Sequence, residues 1–203
     1  MNLERLAQLL IEEAVAIPAC EAEDKVEDRP GLYAIFVDRA SSLPAAFRRR
    51  LLHRATKLIY IGVARDSLQK RLVTQDLRAG GRSSFARSLG AVLGYHPLQG
   101  SLRTGKHSYS FKFSEADRHN IVRWIDAHLF VRTLVLRDST LGQMEKSLIR
   151  TRAPLLNTEH NPEVVPELEA LRDDCRWMAG GRIEVPDASA IRCYKNDGLA
   201  GDR

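Results

Sequence analysis

Cysteine is scarce in this chain of 203 residues: Cys20, Cys175 and Cys193 are widely spaced and form no C-x-x-C pair. Neither a disulfide framework nor a zinc site is indicated, and a reduced, cytoplasmic setting is expected. The six histidines are scattered with no pair at metal-ligand spacing, which closes the other common route to zinc. No uninterrupted apolar run approaches the length needed to span a bilayer, so no membrane partner is expected. Ile17-Pro18-Ala19-Cys20 superficially resembles a lipoprotein cleavage site, but Glu12 and Glu13 precede it and a basic start is missing. A signal peptide is therefore not expected. Internal repeats, low-complexity blocks, zinc fingers and a separate helix-turn-helix are also missing. The stretch from Gly100 to His107 has P-loop-like glycines and Lys106 but ends in His107 where Ser or Thr is required, and it precedes an alternating strand pattern. Nucleotide hydrolysis is not expected from it.

What is present is ordinary globular composition, 44% apolar and 28% charged, at a length suited to one domain with appendages. The net charge of +5 conceals a segregation. Residues 38 to 87 hold twelve Lys or Arg against three Asp, a local +9, whereas residues 1 to 30 sum to −5 and residues 159 to 174 to −5. A basic centre between acidic flanks suits either a phosphate-binding face or a solvated helix face.

Hydrophobic spacing predicts a helix over residues 2 to 16, carried by Leu3, Leu6, Leu9, Leu10 and Ala14, docking outside the main core. An acidic linker is expected from Cys20 to Pro30. Strands follow at Gly31 to Val37 and Lys57 to Val63, separated by a short basic helix over 44 to 55. Helices are expected from Asp66 or Ser67 to about Ala79 and after Ser83. A half-buried strand is expected over 108 to 113, a helix over 115 to 127, a strand over Leu129 to Leu136, a helix over 139 to 151 and another from Glu163 to Met178. Residues 186 to 203 read as a loose tail.

The helix at 139 to 151 contains an anomaly. At about 100° per residue, Leu141, Met144, Leu148 and Ile149 form an apolar stripe, and Glu145 falls inside it. A carboxylate there needs a neighbouring arginine or a metal ion to offset the cost of burial. A hard cation such as Mg²⁺ takes oxygen ligands and often only one or two carboxylates, so one Glu is enough. Arg71 is either a surface cation beside Lys70 or a planar donor fork suited to phosphate oxygens. Tyr33 and Tyr60 are either core residues of their strands or functional phenols beside Gly31 and Gly62. Asn157 is either a turn residue or part of the same set.

Taken in order, Gly31-Leu32-Tyr33, Tyr60-Ile61-Gly62, Arg71, Glu145 and Asn157 resemble the GIY-YIG nuclease family, over roughly residues 30 to 158. The resemblance implies an α+β fold: a small central antiparallel sheet flanked by helices, with an extra N-terminal helix and a C-terminal extension. The expected division is residues 1–29, an N-terminal helix and acidic linker, 30–158, the catalytic domain, and 159–203, an extension and tail. The implied activity is a metal-dependent endonuclease hydrolysing phosphodiester bonds in DNA, RNA not excluded, by a single-metal mechanism using Mg²⁺ or Mn²⁺. Under it Glu145 binds the metal, Arg71 stabilises the phosphate, Tyr33 or Tyr60 orients or deprotonates the attacking water, and Asn157 supports the site. A phenol near its ordinary pKa of about 10 is a poor base, so the tyrosine role needs help from a cation.

The chain departs from the family pattern in three places. The stretch between the tyrosine strings carries about twenty Arg-rich residues, a candidate DNA-contact element or a solvated lid helix. Gln75 stands where some relatives place His one turn after the arginine. The segment from Gly80 to Phe113 is longer than a minimal core needs, with Arg82, Arg87 and Arg103 as further nucleic-acid candidates. Arg48, Arg49, Arg50, Arg54, Lys70 and Arg78 complete the expected binding set. A homodimer is the simplest way to cut two strands with one site per chain. The competing expectations are a non-cleaving nucleic-acid-binding module of the same fold, and an interaction protein that uses its acidic ends.

Overall fold

The computed structural model describes residues 2–54, 56–81, 83–103 and 110–181. Four strands form one antiparallel sheet in the order β1-β4-β2-β3: β1 (Ile17–Pro18), β2 (Gly31–Val37), β3 (Leu58–Ala64) and β4 (Leu129–Val135). All seven residues of β2 are buried, which explains its unbroken apolar run, since helices cover both of its faces. The expected α+β architecture is thus present.

Period-two alternation sorts β2 between two cores. Tyr33, Ile35 and Val37 join a large cluster with Phe47, Leu72, Phe85, Leu89 and Ile125, which come from α3 (Ala45–Leu52), a helix over Gln69–Leu77, α4 (Ser84–Val92) and α5 (Glu115–His128). Leu32, Ala34 and Phe36 face a second cluster with Leu6, Leu10, Leu148 and Ile149, supplied by α1 (Leu3–Gln8), its continuation over Leu9–Glu13, and α6 (Leu141–Arg152). The N-terminal helix therefore covers one face of the sheet and does not dock outside the core. Leu6, Ala7, Leu10 and Ile11 are all buried there. The acidic stretch after it is also structured. Ala19 and Ala22 are fully buried, the latter in α2 (Ala22–Lys25), while the acidic side chains stay outside.

The two family glycines are explained by close approach. Tyr33 lies opposite Gly62 across β2 and β3. A Cβ at Gly62 would fall 2.3 Å from the Tyr33 hydroxyl oxygen, and one at Gly31 would fall 2.3 Å from the carbonyl oxygen of Leu134 on β4.

One further expectation needs correction. Residues 110–112 form no strand; this segment meets Pro97–Leu98 through a single bridge, Pro97 to Phe113, and the Leu98 amide donates to the Lys112 carbonyl at 2.8 Å. Tyr109 and the second half of the P-loop-like stretch, residues 104–107, lie outside the described residues, as do Arg82, Cys193 and the tail. The expected C-terminal helix forms as α7 (Pro166–Ala179), with Pro166 opening its first turn. It packs on α4. Among the described residues no helix is long and apolar enough to cross a membrane.

Candidate active site

A polar cleft of about 1210 Å³ opens beside β3, the edge strand of the sheet, and Tyr60, Arg65, Glu145, Asn157, Glu159 and Arg172 contribute to its walls. The loop after α6 forms its floor. There the Leu156 amide donates to the Ile59 carbonyl at 2.8 Å. The Asn157 side chain then acts as a substitute strand: Oδ1 accepts from the Ile61 amide at 2.9 Å, and Nδ2 donates to the Ile61 carbonyl at 2.9 Å. Asn161 in turn donates to the carbonyls of Pro154 (2.8 Å) and Asn157 (2.9 Å), fixing the loop. Asn157 thus satisfies the outer edge of the Tyr60-Ile61-Gly62 strand, as only a side chain with a donor and an acceptor at one end can.

Glu145 projects from α6 into the cleft, half-buried, as its place in the apolar stripe predicts. No hydrogen bond or ion pair holds it among the described residues. Burial pushes its pKa up to about 7, against the opposing charges of Arg71 and Arg65, and the carboxylate of Glu159 adds to the upward shift. One under-compensated carboxylate with a second nearby fits a hard divalent cation whose other positions are taken by water and phosphate. A cluster of three or more acidic, His or Cys ligands does not occur among the described residues.

The two tyrosines occupy different environments. Tyr60 lines the cleft, and its hydroxyl lies 3.0 Å from Ser84 Oγ. Tyr33 has no solvent exposure and does not line the cleft. Its hydroxyl donates to Asp76 Oδ2 at 2.5 Å. Burial raises the pKa of Tyr33 well above its ordinary value, with the Asp76 charge adding to it, and burial likewise raises Tyr60 to about 12. The arrangement keeps both phenols protonated at neutral pH.

Asp76 is the functional residue that the sequence did not reveal. It is fully buried, and its Oδ1 accepts from Arg71 Nη1 at 2.5 Å and from Ser83 Oγ at 2.6 Å. Ser83 also caps α4 by accepting from the Ala86 amide at 2.8 Å. Residues Gln69–Leu77 wind as a π-helix, whose i to i+5 bonding brings Arg71 and Asp76 onto one face. Standard α-helical spacing of about 100° per residue would place them roughly 140° apart. Arg71 does not line the cleft; its guanidinium sits 6.0 Å from the Tyr33 ring centre, and its charge reaches Glu145. Burial opposes the charged form of Arg71, but the Asp76 carboxylate together with the Tyr33 and Tyr60 phenols outweighs it and holds the pKa above the ordinary value.

The family model described as the GIY-YIG catalytic domain matches residues 31–174, more than half of the chain. The chain belongs to the GIY-YIG family. No curated protein and no solved structure matches it. GIY-YIG nucleases generally use divalent metals, and the family implies a nucleic-acid substrate. Among the described residues of the expected binding set, only Arg87 lines the cleft. Arg50 pairs with Glu167 at 2.8 Å, Arg54 lies 3.9 Å from Glu163, and Arg78 pairs with Glu23 and Asp126, each at 2.8 Å. Arg48, Arg49 and Lys70 are exposed away from the cleft walls. Much of the central basic excess is therefore consumed by the acidic flanks. The match extends past residue 158 into α7, whose Arg172 and Arg176 line the cleft of this GIY-YIG chain beside Arg65.

Proposed function

We propose that this protein is an endonuclease that hydrolyses phosphodiester bonds in DNA with one divalent cation, Mg²⁺ or Mn²⁺. The observation that carries the reading is the convergence of Glu145, its pKa raised to about 7, with Tyr60 and several arginines in one open polar cleft. A carboxylate kept without a protein partner in a cationic cleft suits a site completed by a cation and a phosphate.

In this proposal the ionised Glu145 supplies the protein oxygen that holds the cation. When bound, a divalent cation supplies Lewis-acid stabilisation of phosphoryl oxygens and eases loss of a proton from water. Tyr60, held near Ser84, keeps its proton and acts as a hydrogen-bond donor that orients water or phosphate instead of as the base. Arg71, set behind the cleft wall and anchored by Asp76, contributes to stabilising the charge that builds on the phosphate through its charge at longer range. Tyr33 acts at one remove, as a strut between β2 and Asp76. Asn157 keeps β3 and the cleft floor in register.

The test is incubation of supercoiled and branched DNA with the protein in Mg²⁺, Mn²⁺ or chelator. Metal-dependent nicking supports the endonuclease. Salt-sensitive DNA binding that persists in chelator without cleavage in either metal supports a binding module and contradicts the proposal.

A further inference from the structure

A buried cleft cation with only neutral hydrogen-bond partners is contributed by α7, outside the segment that carries the family motifs. Arg172 is 7% exposed and lines the cleft. Its hydrogen-bond partners are two neutral hydroxyls: Nη1 donates to Ser88 Oγ at 2.8 Å and to Thr158 Oγ1 at 3.5 Å. No carboxylate lies within ion-pair distance of it among the described residues, and its buried Nε has no partner there. Asp173, next in sequence, is engaged by Arg176 instead. Burial, followed by the charge of Arg176, lowers the pKa of Arg172, whereas Tyr60, Glu159 and Asp173 pull the other way.

A buried guanidinium with only hydroxyl partners is costly, because desolvation is not offset by an opposite charge. Arg50, Arg54 and Arg78 all have carboxylate partners, and Arg172 has none among the described residues. The Ser88 and Thr158 hydroxyls fix the plane of the fork, so its remaining donors are oriented before any ligand arrives. With Nη1 engaged and Nε enclosed, Nη2 is the donor available to a phosphate oxygen. Tyr60 and Glu159 act on Arg172, whereas Arg71 and Arg65 are the cations that act most on Glu145.

We infer that Arg172 holds a backbone phosphate of the bound nucleic-acid strand, next to the phosphate that Glu145 and Arg71 address, with Ser88 and Thr158 as its positioning residues. This rests on the cleft being the nucleic-acid channel but not on cleavage. It gives α7 a substrate-binding role: the helix fixes where the strand lies relative to Glu145.

The probe is a short DNA duplex, with a companion set bearing one neutral methylphosphonate at each successive position. Binding is measured in chelator at several salt concentrations for wild type and Arg172→Gln. Wild type is expected to bind, and the variant to bind about tenfold or more weakly, with the slope of log affinity against log salt reduced by about one. At one position the methylphosphonate should weaken wild type and leave the variant unaffected, a coupling that a purely structural role for Arg172 would not produce. Equal affinity and slope in a folded variant, or additive losses at every position, overturn the inference. If Arg172→Gln does not fold, Arg172→Lys enters the same cycle: a reduced methylphosphonate cost at one position supports the inference, and an unchanged cost at every position overturns it. Wild type that cuts DNA while losses stay additive removes the Arg172 site and leaves the nuclease. Wild type that shows the coupling but never cuts leaves the site and removes the nuclease. Wild type that binds no DNA removes both.

Discussion

The Tyr33 hydroxyl donates a 2.5 Å hydrogen bond to Asp76, a fully buried carboxylate that also holds Arg71 at 2.5 Å. This contact joins the central strand to the π-helix and connects two family motif residues through a third residue outside the motif. Removing the carboxylate would leave the half-buried Arg71 guanidinium without its ion-pair partner. Asp76→Ala is expected to destabilise the fold by about 3 kcal/mol, read from urea unfolding. A loss under about 0.5 kcal/mol would show that the contact is dispensable.

The two tyrosines should separate kinetically. Tyr33→Phe removes one hydrogen bond from Asp76, which keeps two others, so a stability loss of about 1 kcal/mol is expected together with a modest fall in nicking rate. Tyr60→Phe deletes a hydroxyl that faces the cleft and should reduce the nicking rate about tenfold to a hundredfold, with little change in stability. If Tyr33→Phe proves the more damaging to rate, Tyr33 reaches the reacting groups in a conformation other than this one.

Gly62→Ala tests packing in the same region. The added Cβ would sit 2.3 Å from the Tyr33 hydroxyl oxygen, so the ring must leave Asp76 or the strand must shift. A stability loss of about 2 kcal/mol or more is expected. Combining it with Tyr33→Ala, which removes the obstructing ring, should recover part of that loss in a double-mutant cycle. Strict additivity would place the strain elsewhere.

Glu145 makes stability and activity depend on pH in opposite senses. Its pKa is raised from 4.5 to about 7 in the folded chain, so between those values the folded state holds a proton that the unfolded state has lost. Stability therefore falls as pH rises from 4.5 to 7, and the penalty is fully present above 7. Glu145→Gln should stabilise the fold at pH 8 by on the order of 2 kcal/mol, with the gain disappearing below pH 4.5. Nicking by the wild type should rise through about pH 7 as the carboxylate ionises, and added Mg²⁺ should move that midpoint to lower pH by competing with the proton. A flat profile would show that Glu145 does not titrate in the cleft.

Local spacing was informative wherever one element determined the answer. Glu145 inside an apolar stripe pointed correctly to a half-buried carboxylate, and the strands β2, β3 and β4 lie within a residue or so of their predicted bounds. Ser83 was identified as a cap, but its bond to Asp76 was not. Asp76 was hidden because α-helical geometry places it off the Arg71 face, and only π-helical winding brings the two together. Arg50, Arg54 and Arg78 looked like free cations because their partners, Glu167, Glu163, Glu23 and Asp126, are distant in sequence. Arg172 was missed for the converse reason. It lies in a segment of net negative charge, and its isolation from carboxylates is a property of the folded chain.

The most direct test compares nicking of supercoiled DNA by wild type and Glu145→Gln, in Mg²⁺ and in chelator, at pH 8. The account predicts Mg²⁺-dependent cleavage by wild type, none in chelator, and a loss of at least a hundredfold in the variant although it is the more stable protein. Equal cleavage by both proteins would contradict Glu145 as the metal-binding residue, and DNA binding without cleavage by wild type would contradict the nuclease itself.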